Sequence, residues 1–222
     1  MSQRWIETYP ALEAIEGLTH GFICRHPEID VKTDRDTAIA RLQPHFNSCL
    51  ETLGVARAQF STGEQIHADR IEICGSDGPE GTHFPETDGL VTNCPGQFLG
   101  IYVADCGAVY LVDPVKKACG LVHSGKKGSE LGIAVKAMQL MEKTFGSRRE
   151  DIIVQVAPCI RPPDYEIDFA AQIQSDCLNA GVATSHFHDC GVSTSKDLER
   201  YYSYRIEKGE TGRHLAVLGF PN

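Results

Sequence analysis

The chain has 222 residues, of which 41% are hydrophobic, and a net charge of −9. That hydrophobic share supports a sizeable core, while the acidic balance argues against a general nucleic-acid or anionic-membrane binder, whose contacts require a basic footprint. No apolar run approaches membrane-spanning length, and the first ten residues lack the apolar region of a signal peptide.

Residues 18–25 read as a short strand that ends on Arg25. A helix is expected from Thr33, where Thr-Asp-Arg-Asp offers a cap and a carboxylate three residues on. Ile39, Leu42, Phe46, Leu50 and Leu53 form its apolar stripe, Gly54 stops it, and Pro44 predicts a kink or two shorter helices. The alternating segment 70–74 follows Gln65-Ile66-His67. Residues 75–86, with three Gly and two Pro, read as loop. Strands are expected over 88–92 and 98–104, separated by the turn signal Asn93-Cys94-Pro95-Gly96.

The centre of the chain is the stretch 104–128. Apolar runs 108–112 and 118–122 flank a polar turn around Pro114, which is the pattern of a hairpin of two buried strands. Cys106 precedes the first strand and His123 follows the second, so an antiparallel hairpin brings them together. A thiol and an imidazole so placed can be a nucleophile with its base or two ligands of a metal, and Cys106 can equally be a small buried apolar residue. After His123, Ser124 to Ser129 reads as a Gly-rich basic loop leading into a helix whose stripe includes Leu131, Ala134, Met138, Met141 and Phe145, with Gly146 as its left-handed cap. Strand, basic loop and helix N-terminus together point N–H groups and positive charge at an anion, and Lys126 and Lys127 add to it. The loop does not match the Walker A pattern.

Further on, 152–157 reads as a β-branched strand, Asp168 caps a third helix that ends at Asn179-Ala180-Gly181, and a closing strand occupies 215–219. Strands cluster rather than alternate with helices, so the fold class is α+β with mixed sheets. No linker, repeat or low-complexity segment divides the chain, and 1–222 reads as a single domain. Nine cysteines with no Cys-x-x-Cys pair read as reduced thiols of a cytoplasmic protein, with no disulfide framework and no zinc ribbon.

With these residues noted, the chain resembles the polyphenol oxidase (laccase-like) family of zinc-dependent purine nucleoside phosphorylases. The resemblance rests on Thr19-His20-Gly21-Phe22 through Arg25, Gln65-Ile66-His67, Thr87 to Thr92 with Pro95-Gly96, Ala104-Asp105-Cys106, Ala157 to Ile160, Tyr165-Glu166-Ile167, and Tyr201 to Arg205 with Thr211 to Arg213. It implies a layered α/β/β/α fold related to bacterial-toxin deamidases, and one zinc ion on His67, Cys106 and His123. It also implies cleavage of purine nucleosides by phosphate, with adenosine deamination as a second activity. Lys126, Lys127, Gly125 and Gly128 would then hold phosphate, with Arg25, Arg205 and Gln65 as further substrate contacts. Oligomeric state does not follow from the sequence.

Three departures bear on substrate. The family usually has His-Ala-Gly-Trp-Arg-Gly where this chain has His123-Ser124-Gly125-Lys126-Lys127-Gly128, which removes an aromatic platform and a bidentate arginine. Ser193-Thr194 replaces a Cys-Thr pair, with Cys190 close by in sequence. His26-Pro27-Glu28 stands where glycines and an asparagine are expected. Two other functions fit the same residues: a Cys-His hydrolase or amidase, and a ligand-binding protein without turnover. Multicopper oxidase chemistry fits least, because its clustered His-Cys-His motifs are absent.

Overall fold

The computed structural model describes residues 2–75 and 81–222, so part of the loop expected at 75–86, namely 76–80, lies outside the described residues. Two six-stranded sheets organise the rest. The first contains, in spatial order, β1 (Ile6–Glu7), β2 (Thr19–Ile23), β12 (His214–Gly219), β7 (Phe98–Val103), β3 (Phe60–Gly63) and β5 (His83–Phe84). The second contains β11 (Phe187–Asp189), β10 (Ile153–Val156), β8 (Gly107–Asp113), β9 (Ala118–Ser124), β6 (Gly89–Thr92) and β4 (Ile71–Ile73). Both sheets are mixed: β3 runs parallel to β5 and β7, β10 to β11, and β4 to β6, while the remaining pairs are antiparallel.

Side-chain alternation along β8 shows how the layers are built. Ala108, Tyr110 and Val112 point into a core between the sheets, shared with Leu99, Ile101 and Val103 of β7. Val109 and Leu111 point the other way, toward α4 (Ile133–Phe145) and α5 (Phe169–Asn179). A strand buried on both faces must read as an unbroken apolar run, which is what the sequence displays here. On the far side, α2 (Arg35–Thr52) lays Ala38, Leu42, Phe46 and Leu50 against Ile23, Leu215 and Val217 of the first sheet. Leu42 and Phe46 are fully buried, each contributing about 1.5–3 kcal/mol relative to exposure. The order is α/β/β/α, as the resemblance implied.

Three local expectations are corrected. The cap of α2 is Asp34, whose side chain accepts from the N–H groups of Asp36 and Thr37 at 3.1 and 3.0 Å; the Thr33 hydroxyl only donates to the Asp34 carboxylate. Of the two outcomes expected at Pro44, two shorter helices do not form: the helix runs through as one element, because packing of its buried face outweighs the single hydrogen bond that proline removes. The Gly-rich loop is partly helix: α3 (Lys126–Glu130) begins directly after Gly125, ahead of α4. The remaining helix, α1 (Pro10–Glu13), and the short strands β1, β3, β5 and β11 are too brief for periodicity to reveal. Among the described residues no helix is long and apolar enough to cross a membrane.

Candidate metal centre

The β8–β9 hairpin pairs Gly107 with Ser124 and Ala108 with His123. Cys106 therefore stands beside Gly125 at the open end of the hairpin, next to His123. A Cβ built on Gly125 would lie 2.4 Å from the Cys106 sulfur, so only glycine lets the thiol sit there. His67 arrives from the connection between β3 and β4 and holds a left-handed backbone, φ 60°. One donor atom from each of His67, Cys106 and His123 lies within 4.8 Å of the others. The two rings meet edge to face with centroids 4.8 Å apart.

Asp88, fully buried just before β6, ties the group together. Its Oδ1 accepts from the backbone N–H of His67 at 2.9 Å and faces Nδ1 of His123 at 2.9 Å. Its Oδ2 accepts from the N–H groups of Ile66 and Ala68 at 3.2 and 2.9 Å. Burial works to raise the Asp88 carboxyl, but His123 and these backbone donors outweigh it and hold it below the ordinary range. With Nδ1 of His123 committed to Asp88, Nε2 is the nitrogen left for a ligand.

The thiol and imidazole stabilise each other's charge. Burial opposes ionisation of Cys106, yet His123 and His67 beside it hold the thiol at about 6. Burial likewise opposes the charge on His123, while Cys106 and Asp88 raise it to about 9. Two imidazole nitrogens and a thiolate-forming sulfur, braced by a carboxylate, make a donor set suited to a borderline-soft divalent ion.

Asp105 fixes the other side. It is buried, with a left-handed backbone of φ 75°. Its carboxylate accepts from Thr194 Oγ1 at 2.7 Å, Ser203 Oγ at 3.1 Å and the Arg205 N–H at 2.7 Å. These bonds anchor the C-terminal segment against the residue preceding Cys106.

The donors open into a cavity of about 1050 Å³. Lys126, Lys127, Arg205 and Gln65, the expected substrate contacts, are among the residues that line it. Lys126 and Lys127 are both exposed. Arg205 pairs with Glu166 and lies 5.0 Å over the Tyr165 ring, and Gln65 donates to the Tyr102 carbonyl. Gly125 and Gly128 are buried under the wall. Arg25 is elsewhere: it pairs with Glu207 at 2.9 Å and stacks on Tyr202 at 4.9 Å, so its guanidinium is spent on the C-terminal segment. Sequence reasoning passed over Asp88, Arg35 and Arg213 as site residues. Asp88 and Arg213 lay inside quoted motifs, but nothing local distinguishes a brace or a cavity wall from a turn.

The family model for multi-copper polyphenol oxidoreductase laccase matches residues 29–171 and 165–221. A purine nucleoside phosphorylase of Deinococcus radiodurans is 32% identical over 194 residues, covering 76% of this chain and 73% of that protein. Purine nucleoside phosphorylase YlmD of Bacillus subtilis is 25% identical, covering 99% of this chain and 93% of its own length. The crystal structure of the Bacillus licheniformis hypothetical protein YfiH superposes with a TM-score of 0.83 at 23% identity, covering 94% of each chain. That last likeness concerns the fold.

Proposed function

The chain belongs to the multi-copper polyphenol oxidoreductase laccase family, and from that premise we propose that it is a zinc-dependent purine nucleoside phosphorylase, with adenosine deamination as a second activity. The observation that carries this reading is the meeting of His67, Cys106 and His123 at the wall of a basic cavity in an acidic protein. Six basic side chains line that cavity against four acidic ones.

In this reading His67, Cys106 and His123 hold the zinc ion, which when bound supplies Lewis-acid polarisation without redox chemistry. Asp88 fixes the tautomer and tilt of His123. Lys126 and Lys127, with the N–H groups of the uncapped first turn of α3, hold the attacking phosphate. Tyr165 and Phe169, edge to face at 6.0 Å, give the purine an apolar wall in place of the family tryptophan. Copper oxidase chemistry fits less well, because the clustered His-Cys-His motifs it would need are absent from the sequence. A reduced Cys106 ligand also implies a reducing, cytoplasmic setting.

A second reading makes Cys106 a nucleophile and His123 its base, favoured by the mutual stabilisation of their charges. Metal content separates the two, since a zinc thiolate is not free to attack. The deciding experiment measures zinc in purified protein and nucleoside cleavage with and without phosphate. Lys126→Ala or Lys127→Ala is expected to raise the phosphate requirement by about 1.5–3 kcal/mol, the scale of a hydrogen bond to a charged group, with zinc content unchanged. Cleavage that proceeds equally well without phosphate would replace phosphorolysis by hydrolysis, with water as the attacking group. Zinc-loaded protein with no turnover on any purine nucleoside would favour the binding-protein reading.

A further inference from the structure

Arg213 lies one residue before β12 on the cavity wall and is only 9% exposed. Its Nη1 donates to the carbonyl oxygens of Thr211 and Gly212 at 2.9 and 2.8 Å. Those bonds orient the guanidinium, while Nε and Nη2 have no hydrogen-bond partner among the described residues. No carboxylate of the described residues pairs with it. The Tyr204 ring lies beside it, with Cζ 5.8 Å from the centroid.

Arg35, the first residue of α2, lines the same cavity. Among the described residues its only ion pair is with Asp36 at 3.1 Å, a carboxylate 87% exposed to solvent, and such surface pairs bind weakly. Its Nη2 lies 3.5 Å from Gln65 Oε1. Burial pulls the Arg213 guanidinium below its ordinary range, and the charge of Arg35 adds to the effect. Tyr204, Cys106 and Asp105 nearby work the other way without overcoming this, and a buried cation without a paired carboxylate is costly unless an anion completes the group.

Of the four acids that line the cavity, Glu166 pairs with Arg205, and Asp34 and Asp105 are held by hydrogen-bond donors. Asp34 accepts from Asp36, Thr37 and Thr33, and Asp105 from Thr194, Ser203 and Arg205. Lys126 and Lys127 belong to a different wall: they come from α3 at the end of the second sheet, whereas Arg213 and Arg35 come from the first sheet and the helix that covers it.

We propose that Arg213 and Arg35 form a second anion site, distinct from the Lys126–Lys127 end, that binds a phosphate group. Guanidinium forks match the planar spacing of phosphate oxygens, which the lysines cannot do. The phosphate can be the free ion or the ester of a nucleotide. The site stands on its own geometry and does not depend on phosphorolysis being the reaction.

The test is equilibrium binding without turnover, by calorimetry, on the full chain. Inorganic phosphate, adenosine 5′-monophosphate and adenosine are titrated into wild type, Arg35→Gln, Arg213→Gln and Arg213→Lys, with metal content and circular dichroism recorded for each. At least a tenfold loss of affinity for a phosphate-bearing probe is expected in the two Gln variants, with adenosine affinity changed less than twofold. A loss confined to adenosine 5′-monophosphate identifies the ester as the ligand, and a loss confined to inorganic phosphate identifies the free ion. Should Arg213→Gln fail to fold, Arg35→Gln and Arg213→Lys carry the test. Wild-type affinity for both phosphate probes in the folded variants overturns the site. Because no cleavage is measured, that result would leave the phosphorylase reading standing, and an inactive enzyme would leave this site standing.

Discussion

Asp88 Oδ1 serves both histidines of the centre, one through its backbone and one through its ring. Asn has the same shape but replaces one acceptor oxygen by an NH₂ donor, so at least one of these contacts is lost. Asp88→Asn is expected to weaken metal binding by about 10–100-fold, the usual effect of removing such a partner. Chelator competition monitored by bound metal checks this, and an affinity within a factor of two of wild type would remove Asp88 from the centre. Asp88, His67 and Cys106 are far apart in sequence, and no periodicity links them. Cys106 and His123 were legible because a hairpin is a local structure whose ends meet by construction. His67 was placed only by resemblance.

At the scale of elements, the open end of the β8–β9 hairpin depends on Gly125, since a side chain there would overlap the Cys106 sulfur. Gly125→Ala is expected to displace the thiol and abolish stoichiometric metal binding while the far-ultraviolet dichroism stays native. Full metal occupancy in that variant, by elemental analysis, would show that the hairpin end yields more easily than its packing implies. The apolar runs of β8 and β9 and the stripe of α4 could be read directly from the chain. The start of α3 could not, because Gly125-Lys126-Lys127-Gly128 has the composition of a turn. Only packing makes it helix: Gly128 and Ser129 are buried, and the Ser129 hydroxyl meets Ser124 at 2.9 Å.

The whole molecule stores an acid sensitivity in two buried neutral histidines. His20 Nε2 accepts from the Tyr9 N–H at 2.9 Å, and His214 Nε2 accepts from the Tyr202 N–H at 2.9 Å. Burial depresses both, to about 4 and about 3, below the ordinary value of about 6.5. Between those values and 6.5 the unfolded chain binds more protons, so this stability is fully present above pH 6.5 and is lost as pH falls through the folded values. Each histidine is expected to cost roughly 2 kcal/mol by pH 5. Urea unfolding between pH 7 and 5 measures the loss. His20→Gln, which can keep an acceptor for Tyr9 without titrating, should flatten the acid limb by about one proton. An unchanged slope would place the acid sensitivity elsewhere. We further propose that 1–222 is a single domain, because the core between the sheets draws residues from the first strands to the last; one calorimetric transition is the expected result.

The sequence by itself determined the α+β class, the central hairpin with Cys106 and His123 at its open end, and the caps at Gly146 and Asp168. Each of these is set by neighbouring residues, through alternation, helical period or turn chemistry. Resemblance supplied His67 and the layer order. Tertiary structure alone decided that Asp88 joins the two histidines and that Arg25 serves the C-terminal segment rather than the cavity. It also brought Arg35 and Arg213 to one wall, although 178 positions separate them (213 − 35). The physical reason is that side-chain pairing across sheets depends on strand order and register. Those are fixed by burying all the apolar faces at once, a property no local window contains.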